Sequence, residues 1–208
     1  SKLTLIGEGF LSFPDEYRYG SSRKLLQELS QFNLKGVLSA IFTYDAKPGF
    51  IIFSTIPNAI QHLTASLLKI NSYASDNSFP LFLFNFTIYC LVLIVHFKFS
   101  KLILNDNTFA LISVILYGTL TNSFLYIRHA LPYDISLLIL YFAIYDLVKR
   151  NIKGSITAKN SFLLGLISFL GFLVYPGYYP LFLLIAATIF FYKLDRYTLK
   201  RNTRLLII

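Results

Sequence analysis

Beyond residue 78 the chain reads as long apolar runs divided by short charged stretches. Residues 79–97 and 108–126 are almost continuously apolar, and 131–148 is a third run that holds Asp134 and Asp146 near its ends. A bilayer core of about 30 Å takes about 20 apolar helical residues, so each run is expected to form one span. Residues 161–192 are too long for one ordinary crossing, and Pro176-Gly177-Tyr178-Tyr179-Pro180 interrupts them where regular helix cannot continue. Two short spans, 161–175 and 178–192, are expected to form a hairpin there. Before residue 79 the pattern changes. Pro14-Asp15-Glu16 opens a helical pattern, with Asp15 placed to cap it and Leu25, Leu26, Leu29 and Phe32 on its apolar face. A break is expected around residues 33–36. A second amphipathic helix is expected over 50–70, where Pro57, Asn58, Gln61, His62 and Lys69 favour lying on a membrane over crossing it.

Composition supports the same picture. Of 208 residues 55% are apolar and 14% charged, against roughly 25% charged in soluble domains. Too few charges remain to cover a water-soluble globule, which excludes an ordinary cytosolic enzyme, and the apolar content excludes a disordered chain. A net charge of +9 would suggest nucleic acid in a soluble protein. Here its distribution says otherwise. Lys98 and Lys101 follow the first run, Lys149, Arg150, Lys153 and Lys159 the third, and Lys193, Arg196, Lys200, Arg201 and Arg204 the last. Even numbers of spans separate these groups, so they share one side, the cytoplasmic one. Arg128 stands on the other side.

The expected fold is therefore all-α. A polytopic membrane helix bundle occupies residues 79–208 (spans 79–97, 108–126, 131–148, 161–175 and 178–192). An extracytoplasmic loop of amphipathic juxtamembrane helices occupies residues 1–78. The expected location is multi-pass in the plasma (inner) membrane, with membrane lipids and no nucleic acid as partners. Cys90 is the single cysteine, so no internal disulfide and no cysteine metal site can form. With no Met, Ser at position 1 and an apolar Leu205-Leu206-Ile207-Ile208 at the end, the chain reads as a piece of a longer protein.

Four polar groups stand out against this background, because ionisable groups at a membrane are costly. Asp15 and Glu16 at a helix start feel the positive end of the dipole, which favours their ionised forms. A carboxylate there can accept a proton from a hydroxyl nucleophile; it can equally be a plain helix cap. Lys47-Pro48-Gly49 puts a cation at the start of the surface helix. Arg128-His129-Ala130-Leu131-Pro132-Tyr133-Asp134 lies at an outer junction of spans, where an Arg fork suits the oxygens of a lipid-linked phosphate. Tyr175–Pro180 is an aromatic turn on that side, consistent with an interfacial belt. His62, His96 and His129 are scattered, and no metal-ligand spacing, P-loop or G-x-S-x-G is present.

The order of three of these motifs resembles that of the GT-C glycosyltransferases, in the branch that holds protein O-mannosyltransferases and lipid A aminoarabinose transferases. Asp15-Glu16-Tyr17-Arg18-Tyr19 is similar to the branch's outer-loop Asp-Glu-x-Arg-Tyr, Lys47-Pro48 to its Lys/His-Pro-Pro-Leu segment, and Arg128 with Pro132-x-Asp134 to its Arg and Pro-Asp at a later span. The resemblance implies inverting transfer of a sugar from a polyprenyl-phosphate donor to an acceptor hydroxyl on a lipid, protein or glycan, at the outer face. It implies Asp15 as base and Glu16 as its support. Lys47 and Arg128 would hold the donor phosphate, with Arg18, Tyr19, His129 and Asp134 as possible substrate contacts. Gly49-Phe50 replaces the usual Pro-Leu, and Ala46 stands where the aminoarabinose branch has a metal-supporting Glu. No cofactor is therefore expected, with a divalent metal left open. The alternatives are a permease using Arg128, His129 and Asp134, and a non-catalytic membrane protein.

Overall fold

The computed structural model describes residues 17–42, 47–67, 79–119 and 132–198. Among them there are eight α-helices and no strand: α1 (Tyr17–Ser30), α2 (Leu34–Phe42), α3 (Pro48–Leu67), α4 (Phe79–Leu104), α5 (Asn107–Gly118), α6 (Tyr133–Ile152), α7 (Ala158–Val174) and α8 (Tyr179–Thr198). A short 3-10 turn, Pro176–Tyr178, joins the last two. The all-α expectation holds. The expected boundaries shift by a few residues, and Pro57 sits inside α3 without ending it.

Local chemistry explains the turns. Asn105 takes a left-handed φ of 52° after α4, and Asp106 caps α5 by accepting from the backbone N–H groups of Thr108 (2.7 Å) and Phe109 (3.0 Å). At the end of α6, Gly154 has φ 61°, Gly154 N–H donates to Asn151 O, and Ser155 N–H donates to Arg150 O. That pairing is a Schellman motif, which satisfies two orphan carbonyls. Lys149 and Arg150 in the last turn oppose the helix dipole, and Arg150 also pairs with Asp146 at 2.6 Å. Thr157 then caps α7 through Asn160 N–H.

The α1–α2 corner departs from expectation. The break falls at residues 31–33, two to three residues early, and Gly36 lies inside α2. Asn33 donates to the Glu28 carboxylate at 2.7 Å and accepts from Gly36 N–H at 3.1 Å. A Cβ on Gly36 would meet that carboxylate and the Asn33 amide, so both side-chain ends would have to swing away to admit one. Phe32 holds a left-handed φ of 54° and is 92% exposed, with Leu29 also outward. Only Leu25 and Leu26 of the expected apolar face turn inward, Leu25 against Ala40 and Ile51.

Helices α4, α6, α7 and α8 pack side by side, with α5 against α4 and with α1 and α2 against α3. Small residues bring α6 and α7 together. Ser136 Oγ donates to Gly171 O at 2.8 Å, and a Cβ on Gly171 would stand 2.8 Å from Leu140 Cγ. Close approach at small residues is how helices associate in apolar surroundings. His96 of α4 bonds Ser113 Oγ of α5 at 2.8 Å through Nε2 and Tyr141 Oη of α6 through Nδ1, tying three helices.

Among the described residues one helical stretch, Pro80–Leu104, is long and apolar enough to cross a membrane. One such stretch does not by itself establish five spans: the expected span 108–126 continues outside the described residues, α7 has 17 residues, and α6 carries Asp134, Asp146, Lys149 and Arg150.

Two expectations follow. Gly171→Val should lower stability by about 1–3 kcal/mol, because buried Leu140 has no room to yield. Gly165→Ala, where an added Cβ meets nothing within 4 Å, should be neutral or stabilising by up to about 1 kcal/mol. Thermal unfolding of the purified chain checks the pair. His96→Phe keeps a ring against Tyr117 but removes both hydrogen bonds, and should cost about 1 kcal/mol in the same assay.

Candidate functional site

Helix α3 begins where the ends of three other helices meet. Phe50 of α3, Leu81 of α4, Ile135 of α6 and Val174 of α7 form one buried cluster, backed by Phe53, Phe84, Ile88 and Ile139. The approach of α3 to α7 is tight. A Cβ on Gly49 would lie 2.8 Å from Val174 N and 2.9 Å from Leu173 C, and backbone atoms cannot move aside. Gly49, which departs from the Pro of the glycosyltransferase pattern, is here the residue that allows the contact.

That docking delivers Lys47 to an aromatic group. Its Nζ stands 4.9 Å from the Tyr175 ring centroid, within cation–π range. Tyr175 meets Tyr133 edge to face at 4.7 Å and Tyr178 at 5.2 Å. The Pro176-Gly177 turn sets the Tyr175 ring. A Cβ on Gly177 would come within 2.3 Å of Tyr175 Cε1, so the ring lies across the glycine. Tyr175 itself has an extended backbone (φ −146°), and its N–H donates to Gly171 O.

The predicted site residues fall as follows. Lys47 is half-buried at this junction. Asp134 is half-buried in the first turn of α6, next to Tyr133. The segments Lys47-Pro48-Gly49, Pro132-Tyr133-Asp134 and Tyr175–Pro180, far apart in the chain, thus meet at one end of the bundle. Arg18 and Tyr19 stand in the first turn of α1. Asp15, Glu16, Arg128 and His129 lie outside the described residues. Among the described residues no three His, Cys, Asp or Glu side chains gather as a metal site would require. His96 stands apart from this junction, in the hydrogen bonding that ties α4, α5 and α6.

Tyr133 and Tyr175 are the members that sequence reasoning did not assign. Tyr175 was visible as part of an aromatic turn, but its pairing with Lys47 depends on how α3 docks on α7. Compared with known proteins, the chain matches no family model, no curated protein and no solved structure.

Gly177→Ala should leave the unfolding temperature nearly unchanged, since the tip of Tyr175 can swing away. It should also release Lys47 from the ring, a contact worth about 0.5–1 kcal/mol where exposed. Faster acylation of Lys47 in the variant, followed by mass spectrometry, is the expected signature. Gly49→Ala, by contrast, must push α3 from α7 and should cost about 1–3 kcal/mol of stability.

Proposed function

We propose that this chain belongs to a polytopic membrane glycosyltransferase of GT-C type, acting from a polyprenyl-phosphate sugar at the extracytoplasmic face. One observation carries the proposal. Docking of α3 brings the Lys47-Pro48 segment beside the α6 start that holds Tyr133 and Asp134, and these are two of the three motifs on which the resemblance rests. The membrane setting has its own support. Large apolar side chains are exposed along several helices, among them Phe109, Leu111, Ile115 and Leu116 of α5 and Phe162, Leu163 and Leu166 of α7. Exposed large apolar side chains in that number favour a membrane or another apolar partner over water.

In this mechanism Asp15 takes the proton of the acceptor hydroxyl, with Glu16 orienting the acceptor. The acceptor oxygen attacks the anomeric carbon from the face opposite the phosphate, and the carbon–oxygen bond to polyprenyl phosphate breaks with inversion. Lys47 and Arg128 hold the phosphate and stabilise the charge it gains on leaving, the large electrostatic contribution in such transfers. Arg18, Tyr19, His129 and Asp134 line the substrates. The acceptor is a lipid, protein or glycan, and no step calls for a cofactor.

The test uses the complete protein in membranes, with a labelled polyprenyl-phosphate sugar. Asp15→Asn should abolish transfer while the protein still folds and inserts. Lys47→Gln should slow transfer by about 10²–10³-fold, by analogy with loss of one oxyanion donor. Unchanged turnover in Asp15→Asn sinks the assignment, and sugar uptake into sealed vesicles without transfer establishes a permease instead.

A further inference from the structure

The bundle has a second charged end, away from Lys47. Leu81 of α4, Ile135 of α6 and Val174 of α7 meet in the cluster where α3 begins, so the other ends of these packed helices lie at the far end of the bundle. Counting along the chain from that cluster, Leu81 leads to Lys101, Ile135 to Lys153, and Val174 back to Lys159. At 1.5 Å per residue these separations are about 22–30 Å, close to the thickness of a bilayer's hydrocarbon core. Lys98, Lys101, Lys153 and Lys159 are all exposed. Among the described residues no ion pair or hydrogen bond engages their ammonium groups.

The carboxylates described at this end are already engaged. Asp106 accepts from two backbone N–H groups of α5, and Asp146 pairs with Arg150. Exposed apolar side chains stand beside the lysines in the chain: Ile103 and Leu104 after Lys101, Ile152 before Lys153, Phe162 and Leu163 after Lys159. An acidic polypeptide or a nucleic acid would satisfy the ammonium groups and leave those side chains in water. An anionic lipid satisfies both, with its headgroup on the lysines and its chains against the apolar surface. Lys149 lies over the Tyr145 ring at 5.5 Å, which fits the same level, where amphipathic aromatic rings collect.

We propose that this lysine-bearing end binds anionic phospholipid headgroups in the leaflet opposite the Lys47 junction. The ammonium groups act as separate point charges, so they select headgroup charge over headgroup shape. The proposal rests on the membrane placement of the bundle, which the sugar-transfer reading shares, and on none of that chemistry.

The full chain is reconstituted in phosphatidylcholine vesicles with a trace of spin-labelled phosphatidylglycerol or spin-labelled phosphatidylcholine. Electron spin resonance then reads the lipid held at the protein surface. Phosphatidylglycerol should be held about fivefold more strongly at about 10 mM salt, the worth of roughly one lysine contact. The preference should fade at about 1 M, where the screening length falls to about 3 Å. Changing Lys98, Lys101, Lys153 and Lys159 together to Gln should abolish it, and Lys153→Gln with Lys159→Gln should about halve it. These side chains are exposed, and circular dichroism and the unfolding temperature confirm that the variants are folded. Lys24→Gln with Lys35→Gln, at exposed positions of α1 and α2, lowers the net charge as much as the second variant and should leave the preference unchanged. Fluorescent polyglutamate is offered to the same vesicles. Equal holding of the two lipids by the unaltered chain, or equal loss in the two double variants, overturns the proposal. Polyglutamate captured by these lysines without any lipid preference overturns it too, and gives the surface to an acidic polypeptide. Absence of any held lipid sinks the membrane placement and the proposal together.

Discussion

Where α3 starts, a side chain on Gly49 would stand under 3 Å from the backbone of both Leu173 and Val174, and this near approach sets the layout of everything around it. Backbone against backbone leaves no adjustable atoms, so the position of α3 follows from the end of α7. Phe50 then enters the cluster with Leu81, Ile135 and Val174, which locks the starts of α3, α4 and α6 together. Lys47 and Tyr175 are each within two residues of the Gly49–Val174 contact, so their meeting needs no further device. Tyr133 joins because Ile135, two residues on, is in the same cluster. A single apolar junction thus assembles polar groups from three distant parts of the chain.

The inverted character of α3 is the second consequence. In a water-soluble protein an amphipathic helix turns its apolar stripe inward. Here the inward side also carries Ser54, Asn58 and Gln61, all buried, while isoleucines and leucines line the outward side. Burying amides is costly unless they are bonded, and the Ser22–Asn58–Arg23 bonding with α1 meets that demand. Helix α1 is therefore more than a cover. It supplies the polar partners that let α3 show an apolar surface to its surroundings.

Much of the fold was legible because its signals are local. Apolar runs marked α4, α6, α7 and α8, and the Pro176-Gly177 turn lay where the break in the pattern put it. What failed was also local in origin. Phe32 looked like the next residue of an apolar face, but it occupies the left-handed position that ends α1, normally given to glycine because a side chain there costs about 1–2 kcal/mol. The face stops one turn short for that reason. Of the candidate site, Lys47 and Asp134 could be picked out as costly charges near apolar runs. Their association with Tyr133 and Tyr175 could not, since it depends on a contact across some 125 residues between Gly49 and Val174. Gly49 itself looked like a defect in a motif, and only the packing gives it a purpose.

Arg23 shows the same limit from another side. In sequence it is one basic residue on a polar helix, and Asn58, Gln61 and His62 read simply as reasons for α3 not to cross a membrane. Those two meanings converge once α1 lies on α3. The same polar residues line a pocket against α1, because polar groups buried between two helices must find partners. Lys47, just before α3, and Arg23 of α1 stand at two places along α3, separated by the apolar contacts of Phe50 and Ile51.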